Sequence, residues 1–486
     1  MAEGAVTLSY AARPRVVAKY LGQLLLMLAL LKLPPLVVAL MHGEPVFAWR
    51  CLAVIGVLLA LGLPTLRLAA PARVQINEAL AVVALVFLID PLLMSFPLAG
   101  DRLTAVDALF EAVSAVTTTG LTTVRGLHDA SHAFLFTRAW MQWYGGLGIV
   151  VLSVALLSGH QMATRRLVDA SAGEGIVTTS RAHARRMLAV YLVLTAAGIL
   201  LLWLLLGDVE NAVLHALAAV STGGFAPADA SLGALPGWDA RFAVIALALC
   251  GAVPLPLYLL ARQRGIVAIL RDPELRLLIV ACLTVGLILA AVFHANGMGW
   301  REALPQGLLH GVSAQTTAGF SAIDAAAVGD TAMLVMIFAM LAGGGLGSTA
   351  GGIKLLRLLI LLRLVQFTLR RTALPEHAVA QPTLGGRSLA PDDVQRALLL
   401  VMLFVSMALL SWLAFVAAGQ PPLASLFEVV SALGTVGLSS GISAQALPAG
   451  LKLLLCADML LGRLEIIALL VVLYPKTWIG RRAELL

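Results

Sequence analysis

The chain has 486 residues, 60% of them hydrophobic and only 12% charged, with a formal net charge of +7. Soluble domains run at roughly 45–50% apolar and 25% charged residues, so a large solvated surface is excluded. The 44 glycines and 21 prolines form no low-complexity run, which excludes disorder as the reason for them.

The composition is that of a polytopic membrane protein. A helix needs about 20 apolar residues to cross the hydrocarbon core. Ten stretches qualify: 20–41, 47–68, 79–98, 134–158, 187–206, 241–261, 275–294, 331–364, 395–417 and 451–474. The first is long for a signal-peptide core and ends in Met41-His42-Gly43-Glu44 without an Ala-x-Ala site, so it reads as a retained span interrupted by Lys32 and Pro34-Pro35. Basic residues fall between the spans rather than in a nucleic-acid-binding patch. With both termini placed in the cytoplasm, the inside segments hold 24 of the 33 Lys and Arg, among them Arg73, Arg165, Arg166, Arg181, Arg387, Arg481 and Arg482. The four cysteines, Cys51, Cys250, Cys282 and Cys456, are scattered in apolar stretches, which argues against a disulfide framework or a metal knuckle.

Four outside connections resemble one another. They are Phe110-Glu-Ala-Val-Ser-Ala-Val-Thr-Thr-Thr-Gly120, Leu214-His-Ala-Leu-Ala-Ala-Val-Ser-Thr-Gly-Gly224, Leu309-His-Gly-Val-Ser-Ala-Gln-Thr-Thr-Ala-Gly319 and Phe427-Glu-Val-Val-Ser-Ala-Leu-Gly-Thr-Val-Gly437. Two residues before the aligned glycine stands Thr in every copy: Thr118, Thr222, Thr317 and Thr435. Nine before it stand Glu111, His215, His310 and Glu428. The glycines lie 104, 95 and 118 residues apart, so a unit of span, short helix, loop and span repeats four times. The expected fold is all-α, with about ten transmembrane helices: four pseudo-fourfold span–pore helix–loop–span repeats around one ion pathway, plus an N-terminal helix pair. The boundaries are 1–76 for the pair and 77–168, 169–272, 273–385 and 386–486 for the repeats.

Each loop follows an amphipathic run too short to cross, and non-helical backbone at membrane depth survives only when buried or lining a water-filled path. Four such loops around one axis would offer rings of carbonyls that replace the hydration shell of a cation. Ordinary helix C-caps are the plainer reading of any one copy. Glu111 and Glu428 are either mouth charges or buried hydrogen-bonding groups, and the histidines in the same slot favour the latter. Asp90 reads as a polar contact near a helix end rather than an ion site. The outside acids Asp101, Asp129, Asp229, Asp239, Asp324 and Asp330 would attract cations weakly or form a solvated face.

The eighth stretch is interrupted by Gly343-Gly-Gly-Leu-Gly-Ser-Thr-Ala-Gly-Gly-Ile-Lys354, which should unwind a helix near mid-membrane. Close helix packing is the other use of such residues. Its GxGxxA and P-loop-like spacings lack the strand and the Gly-Lys-Ser/Thr ending that those motifs need. Arg463 lies about halfway along the final stretch, where a cation is costly and marks a functional site by default; a pair with Asp458 or Glu465 is the structural alternative.

These loops, the interrupted eighth stretch and Leu461-Gly-Arg463-Leu-Glu-Ile resemble the Trk/Ktr/HKT superfamily of potassium transporters, and within it the TrkH type of bacterial membrane subunit. The resemblance covers about 79–478. It implies a K⁺ filter made of Thr118-Thr119-Gly120, Thr222-Gly223-Gly224, Thr317-Ala318-Gly319 and Thr435-Val436-Gly437, with the two residues before each glycine presenting carbonyls to the ion. Glycine in all four positions goes with K⁺ selectivity. It further implies a gate below the filter, made of Gly343, Gly344, Gly345, Gly347, Ser348, Thr349, Gly351, Gly352 and Lys354, with Arg463 as a barrier to permeating cations. K⁺ uptake across the bacterial inner membrane follows from the same resemblance, with a homodimer, no cofactor beyond the transported K⁺, and a separate cytoplasmic nucleotide-binding regulatory subunit of TrkA type. The basic inside loops offer that subunit a docking face, though anionic lipid explains them equally well. A less selective Na⁺/K⁺ pathway or a cation-coupled symporter is the alternative. Carriers of organic solutes tend towards two inverted repeats, and no HExxH, nucleophile elbow or Asp/His cluster points to an enzyme.

Overall fold

The computed structural model describes residues 11–69, 74–100, 103–157, 176–324, 327–373, 375, 381–384 and 387–479. Arg73, Asp101, Arg165, Arg166, Arg481 and Arg482 lie outside the described residues, as do the side chains of Arg181 and Arg387. Apart from one small hairpin, in which Thr383–Leu384 pairs antiparallel with Arg387–Ser388, the described regular structure is helical. Among the described residues, six helices are long and apolar enough to cross a membrane: Pro14–Met41, Pro45–Arg67, Ile76–Leu98, Ala184–Leu206, Pro273–Ala295 and Pro391–Ala417. Proline opens several of them, where its missing N–H has no intrahelical partner to lose and its fixed φ suits the first turn. Their outward faces carry bare apolar side chains, such as Leu30, Leu204 and Met402, as a lipid-facing surface requires.

Among the described residues, three of the ten expected spans are interrupted by non-helical backbone. The sixth, Trp238–Ala252 and Leu255–Arg264, bends by 86° at Val253-Pro254, where proline removes a backbone donor. The eighth breaks as expected between Asp330–Ala342 and Leu355–Arg371. The tenth breaks between Ala449–Arg463 and Ile467–Leu473, with Glu465 and Ile466 at positive φ. Arg463 is therefore the last residue of a helix, not the middle of one.

Lys32 and Asp90 explain each other. Lys32 sits where Pro14–Leu31 gives way to Leu33–Met41, and its Nζ lies 2.6 Å from Asp90 Oδ1. It also donates to Tyr144 Oη at 2.6 Å, while Tyr144 donates to Asp90 Oδ2 at 2.6 Å. This buried triad ties the N-terminal helices to Ile76–Leu98 and His132–Leu157. An unpaired charge at that depth would cost several kcal/mol.

The centre of the molecule is occupied by four short helices, Ala105–Val116, Val209–Val220, Trp300–Gln315 and Pro422–Leu433. In the second, every residue from Leu214 to Val220 is buried. Thr104 and Asp208 cap the first two through the amides of Asp107 and Glu210. Lys452 Nζ joins Asp107 Oδ1 at 2.6 Å, linking Ala449–Arg463 to Ala105–Val116.

Candidate functional site

All four short helices end in the same way. In the first, Thr118 N–H bonds to Ala115 O at 3.0 Å and Thr119 N–H to Ser114 O at 2.9 Å. The same pair of bonds recurs at Thr222 and Gly223, at Thr317 and Ala318, and at Thr435 and Val436. This is the Schellman cap, so the plainer reading of each single copy holds. Its left-handed residue is usually glycine; here it is Thr four times, with φ of 55, 52, 54 and 49°. A β-branched residue in that region is an outlier. Strain repeated at one position points to a use for the carbonyls it turns.

What no single cap explains is how the loops meet. A Cβ built on Gly120 would fall on the carbonyl oxygen of Gly223, and one on Gly224 would fall on that of Ala318. One on Gly319 would meet Val436 O, and one on Gly437 would meet Thr119 O, which closes the cycle. Each aligned glycine is thus packed against the carbonyl of the next loop in chain order, and only a residue without a side chain fits. The four glycines line one 410 Å³ cavity, with Asp229 and Asp324 on its wall. Asp229 accepts the N–H groups of Gly126 at 2.9 Å and Leu127 at 3.2 Å.

Three of the four residues nine positions before the glycines hold the chain that leaves their loop, whereas His215 Nδ1 faces Asn211 O of its own helix at 2.9 Å. Glu111, fully buried, accepts from Thr122 Oγ1 at 2.6 Å and Thr123 N at 2.9 Å, and lies 3.1 Å from Arg138 Nε. Glu428 accepts from Ser439 Oγ at 2.9 Å, from the amides of Ser440 and Ser443 and from Ser440 Oγ. His310 Nε2 faces the Ala322 amide at 3.4 Å. The buried hydrogen-bonding reading of this slot fits the geometry, and the mouth-charge reading does not.

Several supporting residues were not singled out in the sequence. Ser114 and Ser313 donate to Leu121 O and Phe320 O at 2.6 Å each, and Ser431 Oγ accepts from Gly437 N at 3.0 Å. They share one column of the aligned loops, so the repeat itself carried that signal. Arg138 lies over the Phe225 ring, 3.8 Å from its centroid, coupling the first loop's carboxylate to the second loop. Gln142 donates to Gly223 O and accepts from Phe225 N. Gly145, Gly251 and Gly462 let the returning helices touch the last carbonyls of short helices at Val116, Val220 and Leu433.

On the side of the ring away from the cavity lies segment 343–354. Gly351 N donates to Thr317 Oγ1 at 2.7 Å, Gly352 N to Gly434 O at 3.0 Å, and Thr222 Oγ1 lies 3.3 Å from Thr349 Oγ1. Thr118 Oγ1 and Thr435 Oγ1 are buried with no hydrogen-bond partner in the protein. The segment is pinned to the bend of the sixth span through Gly345 N to Ala252 O at 3.1 Å and Leu255 N to Gly347 O at 3.2 Å. Buried Glu274 receives Leu346 N at 2.6 Å, and Lys354 Nζ turns back onto Ala350 O. Arg463 donates to Thr349 O at 2.8 Å and to Gly145 O at 3.1 Å. Neither acid suspected of pairing with it does so: Asp458 accepts from Ser411 at 2.7 Å, and Glu465 pairs with Arg357 at 2.5 Å. All three helix breaks thus converge beneath the four loops.

Comparison with known proteins agrees with this architecture. A family model described as TrkH, cation transport protein, matches residues 47–478. The Trk system potassium uptake protein TrkH of Escherichia coli K12 is 31% identical over 388 residues, covering 78% of this chain and 80% of that protein. The Trk system potassium uptake protein TrkI of Halomonas elongata is 30% identical over 480 residues, covering 95% and 96%. The crystal structure of the potassium transporter TrkH from Vibrio parahaemolyticus superposes with a TM-score of 0.84 at 27% identity, covering 96% of this chain and 99% of that one.

Proposed function

The chain belongs to the TrkH family of cation transport proteins, and we propose that it is the potassium-translocating membrane subunit of a Trk uptake system. The observation that carries the reading is the cyclic contact of Gly120, Gly224, Gly319 and Gly437 with the carbonyls of Gly223, Ala318, Val436 and Thr119. Rigidly spaced carbonyl oxygens at a constriction are what a dehydrating monovalent cation needs. The short helices direct their C-terminal, electronegative ends at it. The filter is Thr118–Gly120, Thr222–Gly224, Thr317–Gly319 and Thr435–Gly437, and the unpartnered hydroxyls of Thr118 and Thr435 are suited to ligate an ion at its inner end.

Segment 343–354 is the gate in this reading. It blocks the path under the ring, and Arg463 holds it there while adding a positive charge that repels cations. Opening requires the bonds to Thr317, Gly434 and Arg463 to release together. The cavity face is the outer one, supported by the arginines clustered at the opposite ends of helices, such as Arg262, Arg264, Arg370 and Arg371. That basic face is suited to a TrkA-type regulatory subunit, and the family resemblance supports a homodimer in the inner membrane.

Radioactive rubidium uptake into liposomes holding the purified protein, driven by an outward K⁺ gradient, tests the reading. The expected result is competition by K⁺ and weak competition by Na⁺ and Li⁺, with larger uptake in Arg463→Ala. Equal competition by Na⁺ would replace it with a nonselective cation pathway. Silence in both proteins would overturn the pore.

A further inference from the structure

Outside the ion pathway, three side chains from three separate elements converge on the cavity face. His42 follows the last turn of Leu33–Met41, His132 opens His132–Leu157, and Glu210 lies in the first turn of Val209–Val220. One ligand atom from each lies within 4.8 Å of the others. The imidazoles of His42 and His132 are stacked with centroids 4.1 Å apart, and His132 Nδ1 lies 2.6 Å from Glu210 Oε1. Glu44 sits close by: its Oε1 accepts from Ala133 N at 3.2 Å, while its buried Oε2 has no hydrogen-bond partner. A 580 Å³ cavity lined by His132 and Glu210 opens beside the cluster.

We propose that His42, His132 and Glu210 form a transition-metal site, of the kind that takes Zn²⁺, separate from the K⁺ pathway. Two imidazoles and a carboxylate are a ligand set for zinc, which binds N and O at about 2.0–2.2 Å and accepts water as a fourth ligand. Ligand atoms around such an ion lie roughly 3.4 Å apart, so the present cluster needs only side-chain rotations at exposed helix ends. The metal replaces the hydrogen bond between His132 and Glu210 and unstacks the imidazoles. Nitrogen ligands also separate this site from the transported cation, because hard ions such as K⁺ favour oxygen. Since the ligands come from the N-terminal helix pair, the first returning helix and the second short helix, occupancy staples the pair onto the pore-forming part.

The test uses the whole protein in lipid nanodiscs after chelator treatment, titrated with Zn²⁺ alone and separately with Co²⁺. Wild type should bind one zinc per chain, gain thermal stability, and show the intense visible absorption of tetrahedral cobalt. His42→Gln and His132→Gln should each weaken zinc binding at least tenfold and lose that absorption, while keeping monodisperse elution and metal-free rubidium uptake. If His132→Gln fails to fold, His42→Gln and Glu210→Gln decide alone, being exposed or half-buried. Zinc binding of unchanged affinity in the folded variants would overturn the proposal, and so would the absence of zinc-dependent stabilisation in wild type.

Discussion

The four Thr-x-Gly loops and the helix breaks beneath them obey opposite rules. The loops are near copies: one cap, one left-handed threonine and one glycine-to-carbonyl contact, four times over. The breaks share nothing. One is a proline bend of 86°, one a twelve-residue segment, and one a tight turn after Arg463, while His132–Leu157 runs through unbroken. A ring that coordinates a spherical ion is best built from equivalent parts. A single segment packed under the loops, as 343–354 is, cannot be fourfold. In the proposed function, equivalence therefore marks where the ion is recognised, and asymmetry marks where its passage is controlled.

The sharpest way to break this contrast is to put valine at each ring glycine in turn. Each variant should lose about 100-fold or more in rubidium uptake, because a displaced carbonyl costs about 3 kcal/mol. Tolerance at one position alone would end the claim of equivalence. Next in size, Glu111→Gln strands Arg138 in the interior and should lower stability by about 3–5 kcal/mol in thermal unfolding. Glu428→Gln, whose partners are hydroxyls and amides, should cost only about 1–3 kcal/mol. On the asymmetric side, Arg463→Ala removes two charge-assisted bonds and should raise uptake about tenfold. The smallest effect separates the threonines from one another. Thr118→Gly should stabilise by under about 1 kcal/mol, since it relieves left-handed strain and loses no protein hydrogen bond. Thr222→Gly should gain nothing, because its hydroxyl bonds to Ser221 O at 2.7 Å.

The helical membrane architecture and the positions of the four loops were legible because hydropathy and internal repetition are local signals. Pro254 sits at the sixth-span bend inside an apolar run that hydropathy alone reads as one span. No local signal announced the tenth-span break: Leu464-Glu465-Ile466 contains neither Gly nor Pro, and Ile466 at positive φ is imposed by its surroundings. Lys32 and Asp90 looked like two separate anomalies, because 58 residues hide a pair that only packing reveals. Gln142 and Arg138 were invisible for the same reason, being polar residues of an otherwise ordinary span that find their partners across the loops.

The ring also has a seam. Three of its junctions join neighbouring units, but the fourth sets Gly437 against Thr119, and the ion pair beside it joins residues 345 positions apart. Loop closure of that length is the costliest of the four. During synthesis the first three loops exist before their last neighbour does, with Asp107 Oδ1 still lacking Lys452 and the Thr119 carbonyl still lacking Gly437. Closure of the ring is thus a late event that awaits the fourth loop, so a chain halted before Thr435 contains most of the parts and no closed ring.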